Sequence, residues 1–441
     1  METASEPLDP LPDRDGSITE SSAADDDTVP VASLRELRPT SVGAAVTDLP
    51  PATGHRRGGD RPARTRMSPG ARRELQWITV IYLAVRILIL LVAFLKGAYG
   101  QHDIQGELAH WDGLWYRQLA NNGYPHQVSY AQTTLGFFPL FPLAIWALEP
   151  VFTTLTVHNQ IWASTVAGVL ISGIGGYVAT ILVHRLAEGW WGTATARRAT
   201  VLFIVFPGSI VFSMVYSEGL LLPLAAGCLY FLERRRWVLA GVLAGLATAV
   251  QPEALVLTLA CVVSALLEFN RRGWSWRRAR ASLAAPALSV TGAVAFAGFL
   301  WAWTGSPFAT YIAQHHGWSE KTDLTAVVHL VTRMVSRHPV DLNLVVGLVG
   351  TVLLFVMLVL LWYSRHEISI EALVWTLGIS VLALTSEYVP PNPRLLITAF
   401  PAVMVIARYA RGKWFAIVTS SFLVLLVVLA VPTFVGTTLR P

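Results

Sequence analysis

The sequence predicts an all-α protein, a polytopic transmembrane helical bundle behind a polar N-terminal tail. Three observations carry this. Apolar residues make up 54% of the 441 and charged residues 14%, against about 25% charged in soluble domains. Past residue 74 the chain is a string of apolar runs of about 15–25 residues, the length that crosses a hydrocarbon core of roughly 30 Å. The basic residues gather in short loops between those runs, as they do in cytoplasmic loops. The net charge of +5 therefore speaks for orientation in a membrane. Membrane lipids are expected partners and nucleic acid is not.

Residues 1–74 hold Pro, Ser, Thr, Asp and Arg with almost no periodic apolar residues. That composition cannot bury enough surface to offset chain entropy, so it predicts a disordered tail. No apolar stretch near Met1 reads as a cleavable signal. The basic half, His55 to Arg73, should hold the tail in the cytoplasm. Residues 75–441 then form one transmembrane domain.

The first span falls at 77–95 and contains Arg86, which needs a partner inside the bundle. Further apolar runs lie near 160–185, 198–216, 219–233, 237–252, 253–269, 282–303, 341–363, 371–388, 395–410 and 414–435. Arg234-Arg235-Arg236 and the run Arg271 to Arg280 mark cytoplasmic loops. Two runs separate the first of these from loop 185–198, so that loop, with Arg185, Arg197 and Arg198, is cytoplasmic too. The run 160–185 must then enter from outside. Loop 96–159 begins and ends outside, so the apolar stretch 136–152 dips instead of crossing. Its Pro139, Pro142 and Pro150 suit a broken or re-entrant segment. About eleven spans, with external loops 96–159 and 304–340, complete the expectation. Cys228 and Cys261 lie in apolar runs and read as small buried side chains.

Polar residues unexplained by solubility or orientation concentrate on the external side. In His110-Trp111-Asp112-Gly113-Leu114-Trp115-Tyr116, a helix would put Asp112, Trp115 and Tyr116 on one face. An interfacial belt explains the aromatics but leaves the acid without a role. Phe137-Phe138-Pro139-Leu140-Phe141-Pro142 reads as a kinked packing segment. Tyr216-Ser217-Glu218 and Gln251-Pro252-Glu253 are hairpin tips that carry acids. Glu387 to Arg394 is a stiff, proline-rich connection ending in a guanidinium suited to an anion; pairing with Glu387 is the plainer alternative. Loop 304–340 adds Tyr311, His315, His316, Trp318 and Lys321. Adjacent histidines point apart on a helix, so no helical metal motif is present, and no metal ligand is assigned. HExxH, CxxC, Walker and GxSxG patterns are missing, which speaks against an ATP-driven pump.

HWDGLWYRQLANNGYP followed by GFFPLFPL, and then FPGSIVFSMVYSEGLLLPLA, resembles the PIG-V-type mannosyltransferases, multispanning glycosyltransferases of the GT-C class. The resemblance runs from about Trp77 to the last span and omits the tail. It implies GT-C-like architecture and a polyprenyl-phosphate sugar donor, usually mannose, with a lipid or glycan as acceptor. It implies no bound cofactor and leaves a divalent metal open. It matches Asp112 to the catalytic acid of the first external loop, Glu218 to the second external motif, and Arg394 to a late basic motif facing lipid phosphate. One departure is Gln251, where relatives often carry Arg.

The chemistry of the residues agrees. A sugar on a phosphate already has a good leaving group, so the needs are a base for the acceptor hydroxyl and a cation for the departing phosphate. A single base without a covalent nucleophile gives inversion. Asp112 then deprotonates or orients the acceptor hydroxyl, Glu218 positions the acceptor or supports Asp112, and Arg394 holds the phosphate. His110, Trp111, Trp115, Tyr116, Gln251 and Glu253 line the substrate path. A transporter or lipid flippase is the alternative; it would place its charges near mid-membrane. An inactive scaffold is a third. The Ala-, Arg-, Gly- and Val-rich composition points to a bacterial plasma membrane, with the active site extracytoplasmic.

Overall fold

The computed structural model describes residues 68–99, 104–155, 159–336, 341–387, 389–434 and 439. The expected tail falls outside these except for its last residues. Those residues are already helical, because the first helix, Pro69–Tyr99, begins before the boundary placed at 74. Among the described residues the regular elements are helices, and one isolated antiparallel bridge joins Thr322 to Ser386.

Among the described residues six helices are long and apolar enough to cross a membrane: Pro69–Leu95, Gln160–Trp191, Pro252–Arg271, Trp276–Thr304, Leu342–Ser364 and Lys413–Phe434. The bent pair Thr193–Val205 and Pro207–Ser213 makes a seventh if counted as one span. Helix length thus does not confirm the expected eleven. The reason is local. The run 198–216 breaks at Phe206-Pro207 with a bend of 68°, and the run 395–410 breaks at Ala399 into Pro393–Thr398 and Phe400–Tyr409. Helix Trp237–Thr248 has 12 residues, about 18 Å at 1.5 Å per residue. The stretch expected to dip forms the 14-residue helix Leu140–Thr153, also short of a bilayer.

Arg86 finds its partner at the first of these breaks. Its guanidinium donates to the carbonyls of Ile204 and Ser209 and to the hydroxyl of Ser209. The Ile204 carbonyl lies at the negative end of the dipole of helix 193–205, where Arg86 and Ser209 Oγ both donate to it. Cys228 and Cys261 are buried free thiols, as expected.

Close approaches set the bundle's inner dimensions. A Cβ on Gly175 would lie 1.8 Å from the Gly219 carbonyl oxygen, so helices Gln160–Trp191 and Glu218–Glu233 meet backbone to backbone. A Cβ on Gly208 would lie 1.9 Å from the Pro393 carbonyl oxygen. That contact presses the turn bearing Arg394 against the broken span.

The helices run between two polar ends. Helix Glu218–Glu233 leads from Glu218 to Glu233 and Arg234, and Pro252–Arg271 leads from Glu253 to Arg271 and Arg272. At the arginine end, Arg235, Arg271 and Arg272 surround buried Glu268 at 2.8–3.7 Å. Arg197 pairs with Glu74, and Arg408 with Glu367. The acids at the other end surround a cavity.

Candidate active site

The cavity has a volume of about 620 Å³, within the range of small-molecule sites. Its walls include His110, Trp111, Asp112, Trp115, Tyr116, Glu218, Gln251, Glu253 and Arg394. All nine residues singled out in the sequence therefore meet at one place.

Asp112 opens the helix Asp112–Asn122, where the N-terminal dipole favours a carboxylate. Trp111 turns the chain into that helix with φ of 58°, a conformation that strains a bulky residue. Helicity puts Trp115 and Tyr116 on the Asp112 side, as the spacing predicts. Tyr116 is buried, and burial together with the charges of Asp112 and Glu218 pushes its hydroxyl above the usual tyrosine range.

Arg394 reaches this group from the far end of the chain. Asn392 caps helix Pro393–Thr398 by accepting from the Leu395 N–H. This fixes the start of the turn. The Arg394 guanidinium donates to the Asp112 carboxylate and lies 3.5 Å from Glu218 Oε1. Its carbon sits 5.5 Å from the centre of the Tyr216 ring. The sequence offers Glu387 as an alternative partner; the structure gives Arg394 two carboxylates of the site instead.

Glu218 is buried, at 3% exposure, and Gln251 stands beside it. The Gln251 amide donates to Ser217 Oγ at 2.6 Å and to Glu218 Oε1 at 3.3 Å, and Tyr116 bonds the same Ser217 hydroxyl at 2.6 Å. Gln251 is a neutral donor. Arg394 is thus the cation nearest Glu218. The Oε2 atoms of Glu218 and Glu253 and the Trp318 indole N–H are buried without a hydrogen bond among the described residues. A polyhydroxylated ligand would satisfy such groups.

Aromatic rings form a second wall. Trp115 stacks on Phe137 with centroids 6.1 Å apart and meets Trp318 edge-on at 5.0 Å. Phe137 and Phe141 each pack edge-on against Tyr116 at 5.0 Å. The kinked Phe137–Pro142 segment thus lies beside the Asp112 helix.

A further wall comes from loop 304–340, where the sequence names Trp318 and Lys321 without a role; Tyr311, His315 and His316 of that loop are not among the lining residues. Gln314, Trp318, Glu320, Lys321 and Thr322 also line the cavity. Backbone bonds tie this strap to the proline-rich connection: Asp323 N–H donates to Thr385 O at 2.7 Å, and Glu387 N–H to Lys321 O at 3.1 Å. The Gln314 amide donates to Gly136 O at 2.6 Å. Desolvation in the cavity pushes the Glu320 carboxyl above its usual range, with Arg394 pulling the other way. Among the described residues no group of three or more His, Cys, Asp or Glu side chains is placed to hold a metal ion.

Comparison with known proteins agrees with the motifs. Residues 88–291 match the model of the mannosyltransferase (PIG-V) family, a stretch that contains Asp112, Glu218, Gln251 and Glu253. The GPI alpha-1,6-mannosyltransferase 2 of Cricetulus griseus is 30% identical over 156 residues, 34% of this chain and 30% of that protein. Its counterpart from Rattus norvegicus is 28% identical over 158 residues, again 34% and 30%. These matches span less than a third of the relatives' own length. Among solved structures, ArnT from Cupriavidus metallidurans bound to undecaprenyl phosphate is 15% identical with a TM-score of 0.47, over 75% of this chain and 59% of that one.

Proposed function

We propose that this chain is an integral membrane mannosyltransferase. It moves a mannosyl group from a polyprenyl-phosphate donor to a hydroxyl of a lipid or glycan acceptor, with inversion, on the non-cytoplasmic face. The observation that carries this reading is the Asp112–Arg394–Glu218 group, set in a cavity with unsatisfied carboxylate oxygens and an aromatic wall. The family match over 88–291 and the names of the relatives support the sugar.

Asp112 takes the proton of the acceptor hydroxyl. The freed oxygen attacks the anomeric carbon from the face opposite the phosphate, and the bond from that carbon to the phosphate oxygen breaks. The electron pair leaves with the prenyl phosphate, whose growing charge is offset by cations at the site. Arg394 keeps the Asp112 carboxylate aimed and adds positive charge near the leaving group. Glu218, itself bonded by Gln251, holds Arg394 from behind. Charge supports that face: the opposite end of the same helices carries the arginine clusters, which the positive-inside rule assigns to the cytoplasm.

The transporter alternative would use the broken span at Phe206-Pro207. The buried cation at that break, Arg86, is already engaged by the chain's own carbonyls and hydroxyls, which favours a structural role there. The test is to give purified protein labelled polyprenyl-phosphate mannose and a membrane lipid extract. Label appearing in a new glycolipid or glycan supports the transferase; movement of unreacted donor across a vesicle membrane without transfer supports the transporter.

A further inference from the structure

Arg394 has its charge offset by two carboxylates, Asp112 and Glu218. Glu253 and Glu320 add two more acids to the same walls. An anionic substrate entering this cavity therefore needs a cation that is not already engaged. Lys321 also lines the cavity, and its ammonium has no hydrogen bond or ion pair among the described residues. Lys321 is exposed, so it stands at the rim, where the phosphate of a membrane-anchored lipid would lie near headgroup level.

The backbone under Lys321 is fixed. Its carbonyl accepts from Glu387 N–H, the next residue pairs with Ser386, and Glu320 N–H donates to Gln314 O at 3.1 Å. A Cβ on Gly317 would lie 2.4 Å from Ala131 O, so the strap is seated closely on the 131–138 segment. A long flexible cation on a pinned backbone makes a point-charge contact for phosphate.

We infer that Lys321 is the direct contact for the phosphate of the lipid-linked donor, and that Arg394 acts chiefly on Asp112. This rests on the proposed use of a polyprenyl-phosphate donor. Two binding measurements on the full chain in nanodiscs test it, one with undecaprenyl phosphate and one with the uncharged alcohol undecaprenol. Wild type should bind the phosphate more tightly than the alcohol. Lys321→Ala should weaken phosphate binding at least tenfold and leave alcohol binding unchanged, and Lys321→Arg should restore most of the loss. In transfer assays Lys321→Ala should raise KM for the donor with kcat changed little. If wild type prefers the phosphate and Lys321→Ala binds it equally well, the assignment of Lys321 is wrong and the donor reading stands. If wild type does not prefer the phosphate, the donor reading fails and the assignment falls with it.

Discussion

Arg394 and Asp112, 282 positions apart in sequence, form an ion pair on the wall of the cavity. The first consequence concerns stability. Replacing Arg394 by Met leaves Glu218 buried without a cation, the kind of change that costs about 3–5 kcal/mol. Arg394→Met should therefore melt earlier and lose activity. Adding Asp112→Asn and Glu218→Gln should recover much of the melting temperature and none of the activity. Thermal unfolding and transfer assays on the three proteins separate the two effects.

Arg86 should matter for folding and little for substrate. Arg86→Leu leaves the Ile204 carbonyl with its Ser209 Oγ donor and strips the Arg86 donor from the Ser209 carbonyl, and a buried acceptor left bare costs about 1–3 kcal/mol. Melting temperature should fall, and the folded fraction should keep its KM. A raised KM at unchanged stability would give Arg86 a substrate role.

Gly208→Ala should disturb the site from a distance. Its methyl would overlap the carbonyl oxygen of Pro393, and overpacking of this kind costs about 1–3 kcal/mol. Because Arg394 is the next residue, transfer should drop along with stability. Gly189→Ala, where a Cβ meets nothing within 4 Å, is the neutral comparison.

Glu320 gives a pH dependence. Its carboxyl sits above the usual value of 4.5, so the folded protein holds that proton more tightly than the unfolded chain. The stabilisation is full below about 4.5 and is lost as pH rises through the folded value. Glu320→Gln does not titrate. Its melting temperature relative to wild type should therefore rise with pH through this window and then level off. A difference that stays flat or falls would mean the carboxyl is not raised.

Much of the site was legible because its residues sit in short stretches where local physics singles them out. Asp112 is an acid among interfacial aromatics, Glu218 and Glu253 are acids at breaks in apolar runs, and Arg394 follows a run of prolines. Gln314 and Glu320 were not legible as site residues, and Trp318 was legible only as a loop aromatic without a role. Their position depends on pairing with Thr385 to Glu387 and on contact with Gly136, and such non-local contacts leave no periodic trace. Helix length leaves the span count unconfirmed for a related reason. Apolar composition marks what is buried in lipid or protein alike, so the broken runs at Phe206-Pro207 and Ala399 read as continuous crossings.

The central claim is that Asp112 is the base for transfer from a polyprenyl-phosphate sugar. Its most direct test compares wild type with Asp112→Asn, both shown to be folded, on labelled polyprenyl-phosphate mannose and a membrane lipid extract. The account predicts transfer by wild type and a loss on the order of 10²–10⁴-fold in the variant. Equal transfer by the two proteins would contradict it.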